Sequence, residues 1–362
     1  MADQKTLKDA KANKKDEFYT RLDDIEAEIS SHPDYVRQFK DKTVLCNCDD
    51  PEWSNFFKFF RLHFNQLGIK KLIATHYNKD GSPSYKLEWT GEKLEDDTLN
   101  MVTTPLQGDG DFRSDECIEI LKEADIVVTN PPFSLFREYI AQLMEYDKKF
   151  IVIGNINAVS YKEFFPLIKD GKVWAGYSFN KTMLFEVGEG YSYDSKASEK
   201  IGDGKHYGKV PMIAWFTNLD IDRVHDAIPL TKNYKGNENK YPTYDNYDAI
   251  ECGKSSDIPK DYDGVIGVPI TFLGIFSPDQ FEIVGLVNGK DDLVDINTTK
   301  DYALWHENKI GVGLTGACGK KINGNPVLRG KPSKGCYFTN DNDSSTVYST
   351  YARIFIRRKK VS

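Results

Sequence analysis

The chain of 362 residues, 40% hydrophobic and 28% charged, is long enough for one large or two medium domains with their own cores and has an ordinary soluble composition. No apolar run reaches the roughly 18 residues a bilayer crossing needs, and the first residues carry no apolar signal core, so a cytoplasmic protein with no membrane partner is expected. The six cysteines are scattered without paired C-x2-C spacing, which points away from a metal site, and the formal net charge of −7 argues against nucleic-acid binding unless the cations are locally concentrated.

They are concentrated at the two ends. Residues 1–15 hold five lysines against two aspartates, and Arg353–Lys360 holds five cations and no acid. Both segments read as solvated basic tails, the second suited to phosphate contacts.

Residues 1–14 read as a flexible tail. Phe18, Leu22, Ile25 and Ile29 share one face of a predicted helix, with Pro33 beyond its end. Thr43–Asn47 reads as a buried strand and Asp49–Pro51 as a turn. Ser54 is the predicted N-cap of a helix carrying Phe56, Phe57, Phe60, Phe64 and Leu67, which Gly68 stops. Lys71–Thr75 is a second strand, and a hairpin is expected around Tyr85–Trp89. A helix over 114–123 leads to an apolar strand, Asp125–Thr129. A helix over 134–147, a strand at Phe150–Gly154 and a further helix–strand step over Tyr161–Trp174 complete the alternation, which indicates an α/β layer with a mainly parallel sheet. Residues 186–209 read as a long loop, and Pro211–Leu219 as a strand returning to the sheet. From 223 onward the chain turns polar and turn-rich, with β-like runs at Val265–Leu273 and Phe281–Val287. These shifts divide it at 15–222 and 223–362.

The sharpest local signal is Asn130-Pro131-Pro132-Phe133, between a buried strand and a helix. Two successive prolines remove two donors and fix the backbone, and each pushes the preceding residue out of the helical region. The carbonyls of such a stiff loop can face an open space. The Asn130 amide oxygen and the Pro131 carbonyl can then accept the two hydrogens of a planar exocyclic amine and draw its nitrogen toward tetrahedral geometry, while Phe133 stacks on the ring. The same residues would also make a plain strand-to-helix turn with an asparagine cap. Gly311–Gly316 fits G-x-G-x-x-G, but the next stretch of chain, Ala317–Pro326, cannot sustain the helix that a dinucleotide site requires.

Asn130–Phe133, together with Val44–Pro51, Ser54–Lys58, Gly108–Ser114 and Asp125–Tyr139, resembles the EcoRI-type DNA adenine (N6) methyltransferases. The likeness continues through Thr217–Asp220, Tyr244–Ile250 and Gly267–Leu273, and is weakest over 286–350. It implies a Rossmann-like sheet with helices on both faces, a catalytic domain over 15–222 and a target-recognition and DNA-binding region over 223–362. It further implies S-adenosylmethionine as methyl donor, no metal, double-stranded DNA as substrate with the adenine flipped out, a prokaryotic or phage-infected cell, and a cognate restriction endonuclease as possible companion. Asn130, Pro131, Pro132 and Phe133 are the implied catalytic residues. Tyr19, Thr20, Asn47, Cys48, Asp49, Asp111, Phe112 and Asn130 are the implied cofactor contacts.

Two departures stand out. Residues 47–50 lack the glycines usual in the cofactor loop, so a simple turn before a helix is the competing reading there. Thr75, His76 and Tyr77 stand where an acid would hold ribose hydroxyls, and Asp111 could equally cap the helix after it. Cytosine N4, RNA adenine or a protein glutamine would offer the same planar amine, and a catalytically inactive DNA-binding relative would keep the same fold.

Overall fold

The computed structural model describes residues 19–48, 50–78, 81–95, 98–186, 198–200, 206–287, 305–309, 313–319, 325–332, 336–340 and 345–359. The expectations for residues 1–14, Asp16–Phe18 and Asp49 lie outside them. The chain divides into two compact units, Met1–Asp222 and Arg223–Ser362. No helix among the described residues is long and apolar enough to cross a membrane.

The first unit holds strands β1 (Tyr19–Thr20), β2 (Thr43–Cys46), β3 (Lys71–Thr75), β4 (Tyr85–Trp89), β5 (Val102–Pro105), β6 (Ile126–Thr129), β7 (Lys149–Asn155), β8 (Trp174–Ala175), β9 (Lys181–Glu186), β10 (Ser198–Lys200) and β11 (His206–Thr217). Its helices are α1 (Leu22–Ile29), α2 (Pro33–Gln38), α3 (Asn55–Leu62), α4 (Phe64–Leu67), α5 (Asp115–Glu123), α6 (Phe136–Glu145) and α7 (Phe165–Lys169). Among the described residues the strands form one mixed sheet in the order β1-β9-β11-β7-β6-β2-β3-β4-β5, with β8 and β10 also on β11. The middle four, β3, β2, β6 and β7, run parallel. They are continuous runs of buried Val, Ile and Leu, as strands covered on both faces must be. The polar hairpin β4–β5 and the strands β11, β9 and β1 close the two edges antiparallel.

The helix starts obey their caps. Ser54 accepts from Phe57 N and Ser114 from Cys117 N, each satisfying an amide of the first turn. The helix expected through Leu67 is broken at His63, whose backbone (φ −102°, ψ 12°) separates α3 from α4. Gly68, at φ 65°, ends α4 as expected. Tyr19 and Thr20 do not open a helix: they pair with Glu186 and Phe185, and α1 begins only after Arg21. Pro33 lies past α1 and itself starts α2. The long loop expected over 186–209 is partly strand, because β11 begins at His206, five residues before Pro211. A register shift between Val210 and Ile213, with Met212 at φ 61°, absorbs the proline, which cannot donate to a ladder.

In the second unit β12 (Ala249–Glu251), β13 (Val265–Pro269), β14 (Phe281–Val287) and β20 (Arg353–Arg358) form a sheet in the order β12-β13-β20-β14. A second sheet joins β15 (Trp305–Lys309), β16 (Gly313–Gly319), β17 (Val327–Arg329), β18 (Cys336–Asn340) and β19 (Thr346–Ser349). Tyr244, Tyr247, Ala249, Val265, Val287, Leu328 and Phe355 share one core. The run expected as strand over Val265–Leu273 stops at Pro269 and continues as a 3-10 helix, Ile270–Ile275. Gly313–Gly316 lie in β16, a strand where a dinucleotide site would need a helix.

The C-terminal arginines are not a solvated tail. Ile354, Phe355 and Ile356 are fully buried in the inner strand β20. Arg353 makes bonds of 2.8–3.2 Å to both oxygens of Glu251, Arg357 pairs with Glu282 at 2.8 Å, and Arg358 donates to the Lys260 carbonyl. An unbroken apolar triplet inside the basic run takes it into the sheet, and its arginines find partners there.

Candidate active site

In a parallel sheet, ligands bind beyond the carboxyl ends of the strands, where the strand order reverses. Here the reversal falls at β2. The chain passes from β2 to β3 on one side and later enters β6 on the other. Val44 and Leu45 stand opposite Ile126 and Val127, so Asn47, leaving β2, stands level with Thr129, one residue before Asn130 leaves β6 at the same rim. Asn47 and Asn130 are buried, at 7% and 8% exposure.

Asn130 and Pro131 are buried, while Pro132 and Phe133 remain half-buried. The Pro132 carbonyl accepts from Leu135 N at 2.9 Å, closing a turn that leads into α6. Phe136, the first residue of α6, lies against Phe164 and Phe216, with ring centroids 5.3 and 5.8 Å away. The proline-locked turn is therefore anchored by β6 before it and by an aromatic cluster after it. Its outer half is left accessible. Thr129 Oγ1, one residue upstream, is buried with no hydrogen-bond partner among the described residues.

One helical turn further on, Tyr139 is fully buried, and its hydroxyl donates to Asn47 Oδ1 at 2.5 Å. Burial holds its ionisation well above that of an ordinary phenol, so it stays a donor. Cys48 Sγ, half-buried, lies 3.7 Å from the same oxygen. Phe112 packs edge-on against Tyr139 at 5.1 Å, and its carbonyl accepts from Gln142 Nε2 at 3.0 Å. The sequence-predicted residues Asn47, Cys48 and Phe112 thus meet around Tyr139. By sequence that residue belongs only to a core-facing helix stripe; a hydroxyl at its buried end is the one signal of a further role.

Asp111 is turned onto its neighbour. Arg113 Nε donates to Oδ1 at 2.9 Å and Nη2 to Oδ2 at 2.6 Å, and Nη1 reaches Glu138 of α6 at 3.2 Å. The guanidinium holds the Asp111 carboxyl below its usual range. Gly110 shapes this loop: at φ 82° it occupies left-handed space, and a Cβ there would collide with the His76 carbonyl. A second polar group fills the rim where no acid follows Ala74. Asp50 accepts from the Tyr85 hydroxyl at 3.2 Å and lies 3.6 Å from His76 Nδ1, so the carboxylate next to β3 is supplied by the β2 loop.

β11 pairs with β7 only through Ile213–Thr217, and its first half, with β9, runs past the end of β7 at Asn155. β1 lies outside β9 on that projecting part, since Thr20 pairs with Phe185 and Phe185 with Gly208. Thr20 is also tied to the start of α3, its carbonyl accepting from Asn55 Nδ2 at 2.8 Å. Its own Oγ1 is buried and has no hydrogen-bond partner among the described residues. A buried hydroxyl left open beside a helix start fits a polar ligand group there. Among the described residues no group of three His, Cys, Asp or Glu side chains could hold a metal ion.

Over residues 6–359 the chain matches the family described as adenine-specific methyltransferase EcoRI. It is 48% identical over 305 residues to the Type II methyltransferase M.EcoRI of Escherichia coli, covering 80% of this chain and 92% of that protein. Over 303 residues it is 42% identical to the Type II methyltransferase M.MpnI of Mycoplasma pneumoniae, covering 83% and 92%. It is 45% identical over 277 residues to the Type II methyltransferase M.MgeORF184P of Mycoplasma genitalium, covering 76% and 84%. No solved structure matches the chain.

Proposed function

The chain belongs to the family of EcoRI-type adenine-specific methyltransferases, and from that premise we propose that it transfers a methyl group from S-adenosylmethionine to N6 of an adenine at a specific sequence in duplex DNA. The observation that carries this reading is the placement of Asn130–Phe133. A proline-locked turn stands at the switch point of the sheet, its asparagine at the same rim as Asn47 and its aromatic end open. The strand order, parallel in the middle with the antiparallel β11 next to β7, supports a Rossmann-like methyltransferase sheet.

S-adenosylmethionine supplies a methyl group already activated on a sulfonium, so no covalent nucleophile is called for. Thr20, Asn47, Cys48 and the start of α3 would hold its methionine end, and Phe112 with the Asp50–Tyr85–His76 group its nucleoside end. The residues of the turn do the rest. Adenine cannot reach a rim pocket from within the duplex, so it is flipped out at a cost of a few kcal/mol. Phe133 stacks on the extruded base, and Asn130 Oδ1 and the Pro131 carbonyl accept the two amino hydrogens. The rigid turn fixes the nitrogen in line for attack and keeps water out. The second unit supplies target recognition, with a restriction endonuclease of the same specificity as companion.

The test is mass spectrometry of nucleosides from duplex DNA incubated with the protein and isotope-labelled S-adenosylmethionine, followed by single-molecule sequencing for the site. Labelled N6-methyladenine confined to one sequence context is expected. Label in N4-methylcytosine, or in RNA only, would overturn the substrate; cofactor binding without product would point to an inactive relative.

A further inference from the structure

With the arginines of β20 largely engaged, several lysines of the second unit remain open. Two separate segments bearing them meet through a backbone hydrogen bond, and the chain end is joined to them by an arginine side chain. Lys260 N donates to the Lys232 carbonyl at 2.9 Å, beside a parallel bridge between Lys232 and Pro259. Arg358 donates from Nη1 to the Lys260 carbonyl, and Lys359 N to Gln280 O at 2.8 Å, which fixes the chain end alongside. Lys232, Lys235, Lys260 and Lys359 are all exposed. None of the four has a carboxylate within 4.0 Å among the described residues. The acid closest in sequence, Asp261, turns its two oxygens to the backbone amides of Tyr234 and Lys235, at 2.5 and 3.2 Å. Asp263, exposed, borders the turn. Between the cations stands an aromatic group: Tyr234 lies 4.6 Å from Tyr262 and 5.6 Å from Tyr241, centroid to centroid. Tyr234 and Tyr262 are half-buried.

Gathering like charges costs energy unless a counter-charge arrives, and apart from the attraction of Lys235 for Asp261 these lysines make no ion pair among the described residues. Lysine is a point charge on a flexible stem, suited to a phosphate rather than to the edge of a base. We propose that the face formed by Lys232, Tyr234, Lys235, Lys260 and Lys359 binds the sugar–phosphate backbone of duplex DNA, independently of sequence. The inference rests on the reading that duplex DNA is the substrate, and it moves the phosphate contacts from the paired arginines of β20 to this lysine face.

The experiment is fluorescence anisotropy on two duplexes of unrelated sequence at salt from about 50 to 200 mM, comparing the wild type with the triple variant K232Q/K260Q/K359Q. The plot of log affinity against log salt is expected to lose up to about 2.7 in slope, near 0.9 per contact, and affinity should fall equally on both duplexes. An unchanged unfolding profile in urea, which covers both units, reports an intact fold; if the triple variant does not fold, K232Q and K359Q singly should each remove about 0.9. A wild type that binds both duplexes while the variants keep its slope and affinity overturns the proposal alone. Loss on one duplex only also overturns it, because that is base readout. A wild type that binds no duplex sinks the DNA reading itself.

Discussion

The Tyr139 hydroxyl donates to Asn47 Oδ1 at 2.5 Å, joining the helix after the proline-locked turn to the loop that leaves β2. The bond fixes the asparagine amide at the rim and is buried, so its loss would leave an acceptor served, among the described residues, by Cys48 Sγ at 3.7 Å. Tyr139→Phe is expected to cost about 1–3 kcal/mol in urea denaturation and to weaken S-adenosylmethionine binding by about tenfold. Unaltered cofactor affinity in calorimetry would mean that Asn47 does not face the cofactor.

On the proposed role, Asn130→Ala removes the acceptor that meets the reacting amine and leaves both prolines in place. Turnover should fall at least about 100-fold, by analogy with deleting one preorganised polar contact to a reacting group. DNA affinity should change far less. Phe133→Ala should instead lose about 1–3 kcal/mol of base stacking, largely recovered by Phe133→Trp. Rates measured with saturating cofactor separate the two; near-normal turnover of the Asn130 variant would remove it from the chemistry.

The parallel core was legible because its strands are unbroken apolar runs, and the turn at Asn130 because two prolines leave the backbone few options. The cap at Ser54 arises from local chemistry in the same way, whereas the next helix is capped by Ser114 and not by Asp111. What escaped depends on partners far along the chain. Arg353 reads as a free cation until Glu251, 102 residues earlier, is beside it. Tyr19 and Thr20 look helical until Phe185 and Glu186 offer them a ladder. Asp50 carries no local sign that it will meet Tyr85 and His76 at the rim.

Gly154 of β7 controls the far anchor of the turn. A Cβ on it would stand 2.6 Å from the Phe136 ring, which cannot retreat because Phe164 and Phe216 pack against it. Gly154→Ala is expected to destabilise by about 1–3 kcal/mol and to lower turnover by shifting the start of α6. Trimming the ring in Gly154→Ala/Phe136→Leu should restore much of both. Thermal melts and turnover of the two variants check this; a silent Gly154→Ala would show that the ring yields freely.

Arg113 clamps Asp111 and reaches Glu138, so it joins the 111–113 loop to α6. Its guanidinium lowers the folded-state pKa of Asp111 below the ordinary 3.8. That stabilisation is present above the ordinary carboxylate pKa and is lost as pH falls through the lowered one. Because the pair is substantially exposed, it should contribute under about 1 kcal/mol. Arg113→Met is therefore expected to be slightly less stable than wild type at neutral pH, with the gap closing in acid, below the lowered carboxyl pKa. Urea midpoints at both pH values test the sign, and a gap that widens in acid would contradict it.

In the second unit the pair Arg353–Glu251 joins β20 to β12, with the two side chains only 13% and 10% exposed and the Tyr244 hydroxyl donating to the same carboxylate. Removing one member strands the other. Arg353→Met leaves a buried carboxylate whose remaining partner is that phenol, and should cost about 3–5 kcal/mol. Replacing both charges by apolar groups of similar size removes the desolvation cost along with the attraction. Arg353→Met/Glu251→Leu should therefore recover most of the loss, short of the partner that Tyr244 then lacks. Equilibrium unfolding of the single and double variants measures the difference. Equal instability in the two would assign the effect to lost packing of β20 rather than to an uncompensated charge.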